Sequence, residues 1–534
     1  MPRAGPLTQM LSGMLPVVLI LAAALALPLS LLLLRLYRRA VTRAMMRRLS
    51  HEDARWEDSQ SHPPPWRGAQ NLLQVAEWAP WRAVGVYAVA GFTFALLLAL
   101  VTQLGDGFTV LPVRTAILTV GHAFPLVLTA ILIAGSTRRA KLAIIGAYCL
   151  LFGALGAVSR GVTWSELGAL WLIKNWLPGV IVAGFLARRI RAVGPLVLAF
   201  VLITLVGLEM LLMAADGQEW FAGAMAATGV AMGLGDWGSV AVIVALALLL
   251  FGPAGWLGVR WIRRRYEAKK LSDQSILLDS VWLIFTVGYA IPVVFAGGRW
   301  FAATLAAFVV YKLIITVGFR KFPPVANGDN RRLLVLRVFG LGRPAERLFH
   351  SIALHWRYLG NVNLIAGPDL AMSVVEPHEF LDFLSGRLSR QFIDSRRSLA
   401  AKLSALDERR DRDGRFRIHD FFCHDDTWAM ALAALAKRTD CVLMDLRGFS
   451  AKNKGCLHEI RELVNLVAME RVVFLVDGDR AASLLVHTVA EAWLSMPSGS
   501  PNDGGEAGRL QIVRYGGGAN DVLGPLCRAA ESRN

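Results

Sequence analysis

The feature that most constrains this chain is a series of long apolar runs that carry almost no charge. A helix rises about 1.5 Å per residue, so about 20 apolar residues cross a hydrocarbon layer of about 30 Å. Nine such stretches are legible, near residues 11–34, 83–105, 115–137, 142–159, 165–187, 193–213, 237–259, 277–298 and 300–319. A water-soluble core does not need runs of this length, so residues 1–321 read as a polytopic α-helical membrane region. The first run is too long for the apolar part of a signal peptide, and the basic segment Arg35 to Arg48 that follows is expected of a retained anchor.

The net charge of +17 is unevenly divided. Residues 1–321 hold 29 Lys+Arg against 14 Asp+Glu, whereas residues 322–534 hold 28 against 26. Lys and Arg stay on the cytoplasmic side during insertion. With the N-terminus outside, the inner loops carry 21 Lys/Arg and the outer segments only Arg3, Arg114, Arg160 and Arg299. This alternation predicts a multi-pass inner (plasma) membrane protein, N-out and C-in, with residues 322–534 in the cytoplasm and the lipid bilayer as partner. Loop charge explains the basic excess without a nucleic-acid partner. The five cysteines form no CxxC pair and no even framework, so neither a zinc site nor a disulfide scaffold is indicated. Segment 35–82, interrupted by Pro63, Pro64 and Pro65, reads as a cytoplasmic linker. Residues 220–235 stay open between a re-entrant segment, an amphipathic turn and a loop.

Ionisable residues at membrane depth are costly unless paired or wetted. Lys174 in the fifth run and Glu209 in the sixth lie at depths that allow an ion pair, serving either a translocation path or a lock between helices. His122, beside Pro125, reads as a hydrogen-bonded core histidine, and Lys312 is a further intramembrane cation.

After the linker at Pro323 and Pro324, short β-branched runs alternate with amphipathic stretches. Strands are expected at 333–339, 361–367, 415–422, 441–446, 471–477 and 510–515. Helices are expected near 344–358, 378–393, 396–408, 426–437, 455–468 and 481–495. Nearly continuous apolar strands separated by helices predict a doubly wound parallel sheet, whose ligands gather beyond the carboxyl ends of its strands. In the first of those loops Gly340 and Gly342 precede a helix start with Arg343. They suit either a phosphate held by backbone amides or a turn that needs glycine for its own sake. The cluster His419, Cys423, His424, Asp425 and Asp426 matches no standard metal-ligand spacing. Asp413-Gly414 reads as a turn, and Asp425 or Asp426 as a helix cap.

The segment from Thr427 to Asp477 supplies a helix, the strand CVLMDL, a polar loop with Ser450, a helix with Cys456, Glu459 and Ile460, and the strand VVFLVD. It resembles the central part of a Toll/interleukin-1 receptor (TIR) domain, in which a serine-bearing loop leads to a helix opening Cys-x-x-Glu-hydrophobic. The resemblance implies a flavodoxin-like fold that self-associates as a homo-oligomer or binds nucleotide. In enzymatic members it implies NAD cleavage, with Glu459 as the catalytic carboxylate beside Ser450 and NAD as the cofactor-class ligand. Residues between Pro368 and Asp413 have no counterpart in that family. DCVLMDLRGFSAKNKG also looks like the phospho-acceptor strand of a response-regulator receiver, with Asp445 at the acceptor position. The acidic pair and the lysine that chemistry needs are absent, which implies a degenerate receiver. Asp445 reads alternatively as a sheet-edge residue held by Arg447 or by backbone amides.

The expectation is a membrane signalling or effector protein with a cytoplasmic TIR-like domain. A transporter or channel with a regulatory α/β domain and a membrane-tethered NAD-cleaving enzyme are the alternatives.

Overall fold

The computed structural model describes residues 6–46, 71–135, 137–159, 162–185, 190, 193–233, 235–294, 296–325, 330–338, 343–366, 377–504, 510–516 and 520–531. Gly340 and Gly342, and the linker between residues 47 and 70, lie outside these. The N-terminal helices are α1 (Pro6–Met45), α2 (Leu72–Gly105), α3 (Pro112–His122), α4 (Phe124–Ala134), α5 (Arg138–Val158) and α6 (Trp164–Phe185). They continue with α7 (Gly194–Gly217), α8 (Glu219–Ala231), α9 (Gly235–Glu267), α10 (Asp273–Val294) and α11 (Gly298–Lys321). Eight of the described helices are long and apolar enough to cross a membrane, as expected of a multi-pass membrane protein.

The run read at 115–137 is the pair α3 and α4, bent by 41°, which is long and apolar enough to make a ninth span when taken as one broken helix. Pro125 accounts for the bend, since its ring removes a backbone donor and obstructs the preceding turn. Residues 220–235 contain the helix α8, which packs along α9 and at about 20 Å is too short to span. The bundle closes on aromatic side chains: Trp282 meets Phe94 edge-on and stacks on Tyr311, and its indole N–H donates to Thr129 Oγ1 at 3.0 Å. Gly91 permits that approach, because a Cβ there would lie 2.7 Å from the Trp282 ring.

The C-terminal part is a seven-stranded sheet of β1 (Leu333–Arg337), β2 (Val362–Ala366), β3 (Phe392–Ile393), β4 (Ile418–Cys423), β5 (Cys441–Asp445), β6 (Val472–Val476) and β7 (Gln511–Arg514). Its order is β3-β4-β2-β1-β5-β6-β7, and every pairing is parallel. The helices are α12 (Arg343–Trp356), α13 (Pro377–Leu384), α14 (Arg396–Ser404), α15 (Trp428–Arg438), α16 (Lys454–Leu466), α17 (Asp479–Leu494) and α18 (Asn520–Glu531). Alternation along each strand divides the core. Leu334, Leu336, Val442 and Met444 pack under α15, α16 and α17, whereas Leu333, Val335, Cys441 and Leu443 pack under α12, α18 and the first turn of α2. The helix expected over 378–393 is shorter. It stops at Leu384, Gly386 turns the chain at φ +69°, and Phe392–Ile393 adds a short edge strand beside β4. Helix α18 was not legible, because Gly524 and Pro525 interrupt its apolar pattern.

The sheet meets the membrane helices through its amino edge. Arg357, ahead of β2, forks onto Asp273 at the start of α10 at 2.7 and 2.8 Å. Ahead of β4, Asp413 accepts from Ser272 Oγ at 2.6 Å, and Arg415 reaches Gln274. The Ala76 carbonyl of α2 accepts from His355 Nδ1 at 3.0 Å, and Glu531 of α18 accepts from the Leu72 N–H at 3.0 Å. The helix ends gathered here are the C-termini of α9 and α11 and the N-termini of α2 and α10, whereas the end of α1 meets His424 beyond the carboxyl end of β4.

Candidate functional site

In a doubly wound sheet the crevice lies where the chain reverses its direction of strand addition. Here β1 leads through α12 to β2 on one side, and β5 leads through α16 to β6 on the other, so the crevice opens between the carboxyl ends of β1 and β5. Adjacent and in register there are Arg337, the last residue of β1, and Asp445, the last of β5. Both are buried on the α12 face, above a floor of Val335, Leu348, Leu364 and Leu443.

Arg447 completes the group. Its Nε and Nη2 donate to the two oxygens of Asp445 at 2.8 and 2.6 Å, and its guanidinium lies over the Tyr515 ring at 4.5 Å. Nη2 also approaches the Pro344 carbonyl at 3.5 Å, which brings it to the first turn of α12. Gly448, with φ +72°, makes the turn that follows, and its N–H donates to Asp477 Oδ2 at 2.9 Å. The guanidinium groups of Arg337 and Arg447 and the carboxylate of Asp445 are gathered at the switch point, with Asp477 beside Arg447. Groups of this kind, held in a low-dielectric setting beside a helix start, can meet a phosphate-bearing ligand. Asp445 is thus the sheet-edge residue held by Arg447. Both its oxygens are engaged, and its side chain is only 5% exposed.

The resemblance-derived residues separate. Ser450 is exposed, and its N–H and Oγ both donate to Asn453 Oδ1, at 2.8 and 2.9 Å, in the turn that starts α16. Glu459 is 2% exposed, and it shares the other face of the sheet with Cys456, Ile460 and Leu463 of the same helix. Its Oε2 has no hydrogen-bond partner. Burial raises its pKa to about 8, against the smaller opposing effect of Arg337, so the carboxyl is neutral at pH 7. Cys456 contacts the Arg337 carbonyl at 3.9 Å, and its thiol is pushed up to about 12 by burial and then by Glu459. Arg343 opens α12; its side chain, like Gly340 and Gly342, lies outside what the structure describes.

The histidines of the 419–426 cluster point to separate partners. His419 Nε2 meets the Asn361 amide at 2.8 Å, and His424 Nδ1 donates to the Ala44 carbonyl at 2.7 Å. Thr427, rather than Asp425 or Asp426, stands at the N-cap position, without a side-chain capping bond. Its hydroxyl accepts from the His424 N–H at 2.9 Å and donates to the Ile393 carbonyl at 2.8 Å. The Asp413-Gly414 turn is present, with Gly414 at φ +82°.

Lys174 and Glu209 form no ion pair among the described residues: α6 packs on α10, whereas α7 packs on α9 and α1. A charge pair that does join membrane helices is Lys312 on α11 with Asp279 on α10, at 2.6 Å. Asp279 sits two residues inside the run read at 277–298, and that position was its only signal. Asn175, next to Lys174, accepts from Tyr289 OH at 2.7 Å, and the Tyr289 ring packs edge-on to His122.

No protein-family model, curated protein or solved structure matches this chain.

Proposed function

We propose that this is an inner-membrane signalling or effector protein whose α/β domain lies in the cytoplasm and takes a phosphate-bearing ligand of the nucleotide class. The observation that carries this reading is the convergence of Arg337, Asp445, Arg447 and the first turn of α12 at the β1/β5 switch point. Two further observations support it. The helix ends on which the sheet is seated include the basic ones, Arg263 to Arg265 at the end of α9 and Arg320 and Lys321 at the end of α11. Positive-inside retention then puts the domain on the cytoplasmic side. The strands β2-β1-β5-β6-β7 follow the 2-1-3-4-5 order of flavodoxin-like sheets, with β4 added beyond β2 and β3, from the region without a TIR counterpart, beyond β4.

NAD belongs to the ligand class, and cleavage of it is a separate matter. A carboxyl that stabilises a developing cation must be charged, whereas Glu459 is neutral at pH 7 and lies across the sheet from Arg447.

Full-length protein in detergent, titrated with ATP and with NAD, tests the reading. Saturable binding is expected, weakened about tenfold or more in the paired variant Asp445→Asn/Arg447→Gln, which removes both charges together so that neither is left buried alone. Absence of binding by the wild-type protein at millimolar nucleotide, or equal binding by the variant, overturns it.

A further inference from the structure

A second site lies at the junction of the membrane helices and the α/β domain. An open cavity of about 330 Å³ is lined by α2, the turn between α9 and α10, α10, α11 and the turn before β4. Its wall toward the spans is apolar and aromatic, formed by Tyr87, Ile315 and Phe319. Its other lining is basic: Lys270, Arg320 and Arg412 have no ion-pair partner among the described residues, and Lys312 stands deeper, paired with Asp279. One carboxylate, Asp413, also lines it, held by Ser272 Oγ at 2.6 Å.

Arg412 is not on a loose loop. The turn Asp411 to Gly414 closes through hydrogen bonds from Asp411 N–H to Arg415 O at 2.8 Å and from Gly414 N–H to Asp411 O at 3.0 Å. The flanking aspartates anchor it, Asp411 to Arg417 at 2.9 Å and Asp413 to Ser272. Arg412 is therefore held in place, exposed, in the same lining as Lys270 and Arg320.

We infer that this cavity binds the phosphate headgroup of an anionic phospholipid, with the acyl chains lying along α11. The cations stand where α11 ends at Arg320 and Lys321, at the level of lipid headgroups, and the apolar wall descends from them into the span. Basic pockets between spanning helices suit such headgroups, each cation near the surface strengthening binding about fivefold. A free phosphate ester meets the cations equally well but leaves the apolar wall unfilled. The lining comes from both the spans and the domain, so an occupant ties the two together. This inference is independent of the nucleotide reading.

The test uses the full chain in an uncharged detergent, with lipid occupancy read by native mass spectrometry and stability by thermal unfolding. The probes are phosphatidylglycerol, phosphatidylcholine and inorganic phosphate. Phosphatidylglycerol is expected to bind about tenfold tighter than phosphatidylcholine and to raise Tm. Lys270→Gln/Arg320→Gln/Arg412→Gln abolishes the preference, and Arg138→Gln/Arg139→Gln, exposed basic residues on the same side, keeps it. Equal loss in both variants reduces the effect to surface charge and overturns the site. A Tm rise reproduced in full by inorganic phosphate overturns the lipid assignment. If the triple variant does not fold, Arg412→Gln alone decides: a several-fold loss of the preference supports the site, and none overturns it.

Discussion

The two edges of the sheet use the same chemistry for different ends. At the amino edge, Arg357 with Asp273 joins residues 84 apart in sequence, one at the start of a membrane helix and the other ahead of a strand. At the carboxyl edge, Asp445 with Arg447 joins residues two apart, and the pair lies between Tyr515 and the first turn of α12. A buried fork that spans two parts of the chain acts as an attachment. The same fork made locally fixes a strand end and the turn that follows it. The difference teaches that the partner's place in the chain decides what a buried pair ties together.

The comparison breaks most readily at the attachment. Arg357→Ala strands Asp273 beside Arg415 and leaves the sheet less firmly seated. Thermal unfolding of the full chain is expected to show a loss of about 3 kcal/mol, as for a buried pair deprived of one partner. A variant as stable as wild type would show the edge to be held by apolar contact alone.

Next in size is a pH effect that separates the edges. Glu459 has its folded pKa raised to about 8, so the stability it confers is fully present below pH 4.5 and is lost as the pH rises through 8. Between pH 5 and pH 8 the decline is on the order of 3 kcal/mol, and Glu459→Gln removes it. At the amino edge, burial raises Asp411 to about 6 despite Arg417, with Asp413 adding to the rise. Its contribution is lost between about pH 4 and pH 6, so Asp411→Asn flattens that lower window and leaves the upper one unchanged. Equal pH profiles for the two variants refute the separation.

At the carboxyl edge, Arg447→Gln alone takes the forked partner from buried Asp445 and leaves Arg337 as the neighbouring cation, and a loss of about 2 kcal/mol is expected. Restoration of most of that loss by adding Asp445→Asn, measured as a double-mutant cycle, identifies a local pair. The smallest effect belongs to Ser450→Ala, which removes one exposed turn hydrogen bond. A change within about 0.5 kcal/mol and unaltered nucleotide binding are expected, and a large binding loss would return Ser450 to the site.

Much of the architecture was readable before any coordinates. The apolar runs marked the spans because membrane depth leaves no alternative to intrahelical hydrogen bonding. The runs LLVLR, CVLMD and VVFLV marked central parallel strands, because burial on both faces erases alternation. Less was readable where the pattern is short or mixed: β3 has two residues, and α18 contains Gly524 and Pro525. The candidate site was legible in part. Asp445 and Arg447 stood out at a strand end, whereas Arg337 resembled any strand-terminal arginine until the register placed it beside Asp445. Glu459 shows the opposite case: the short motif identifies a residue type, and the fold decides that its helix turns it inward.

By itself, then, the sequence determined the hydrophobic periods: which segments are apolar enough to span, which are strands, and where glycine must turn the chain. These are local properties, set by burial and by backbone hydrogen bonding within a few residues. The tertiary structure alone decided which charges meet. Lys312 found Asp279 instead of Lys174 finding Glu209, Arg357 found Asp273, and Arg412 came to face Lys270 and Arg320. Such pairings join residues tens to more than a hundred positions apart, and helix packing and strand order fix them, neither of which is written in any single stretch of the chain.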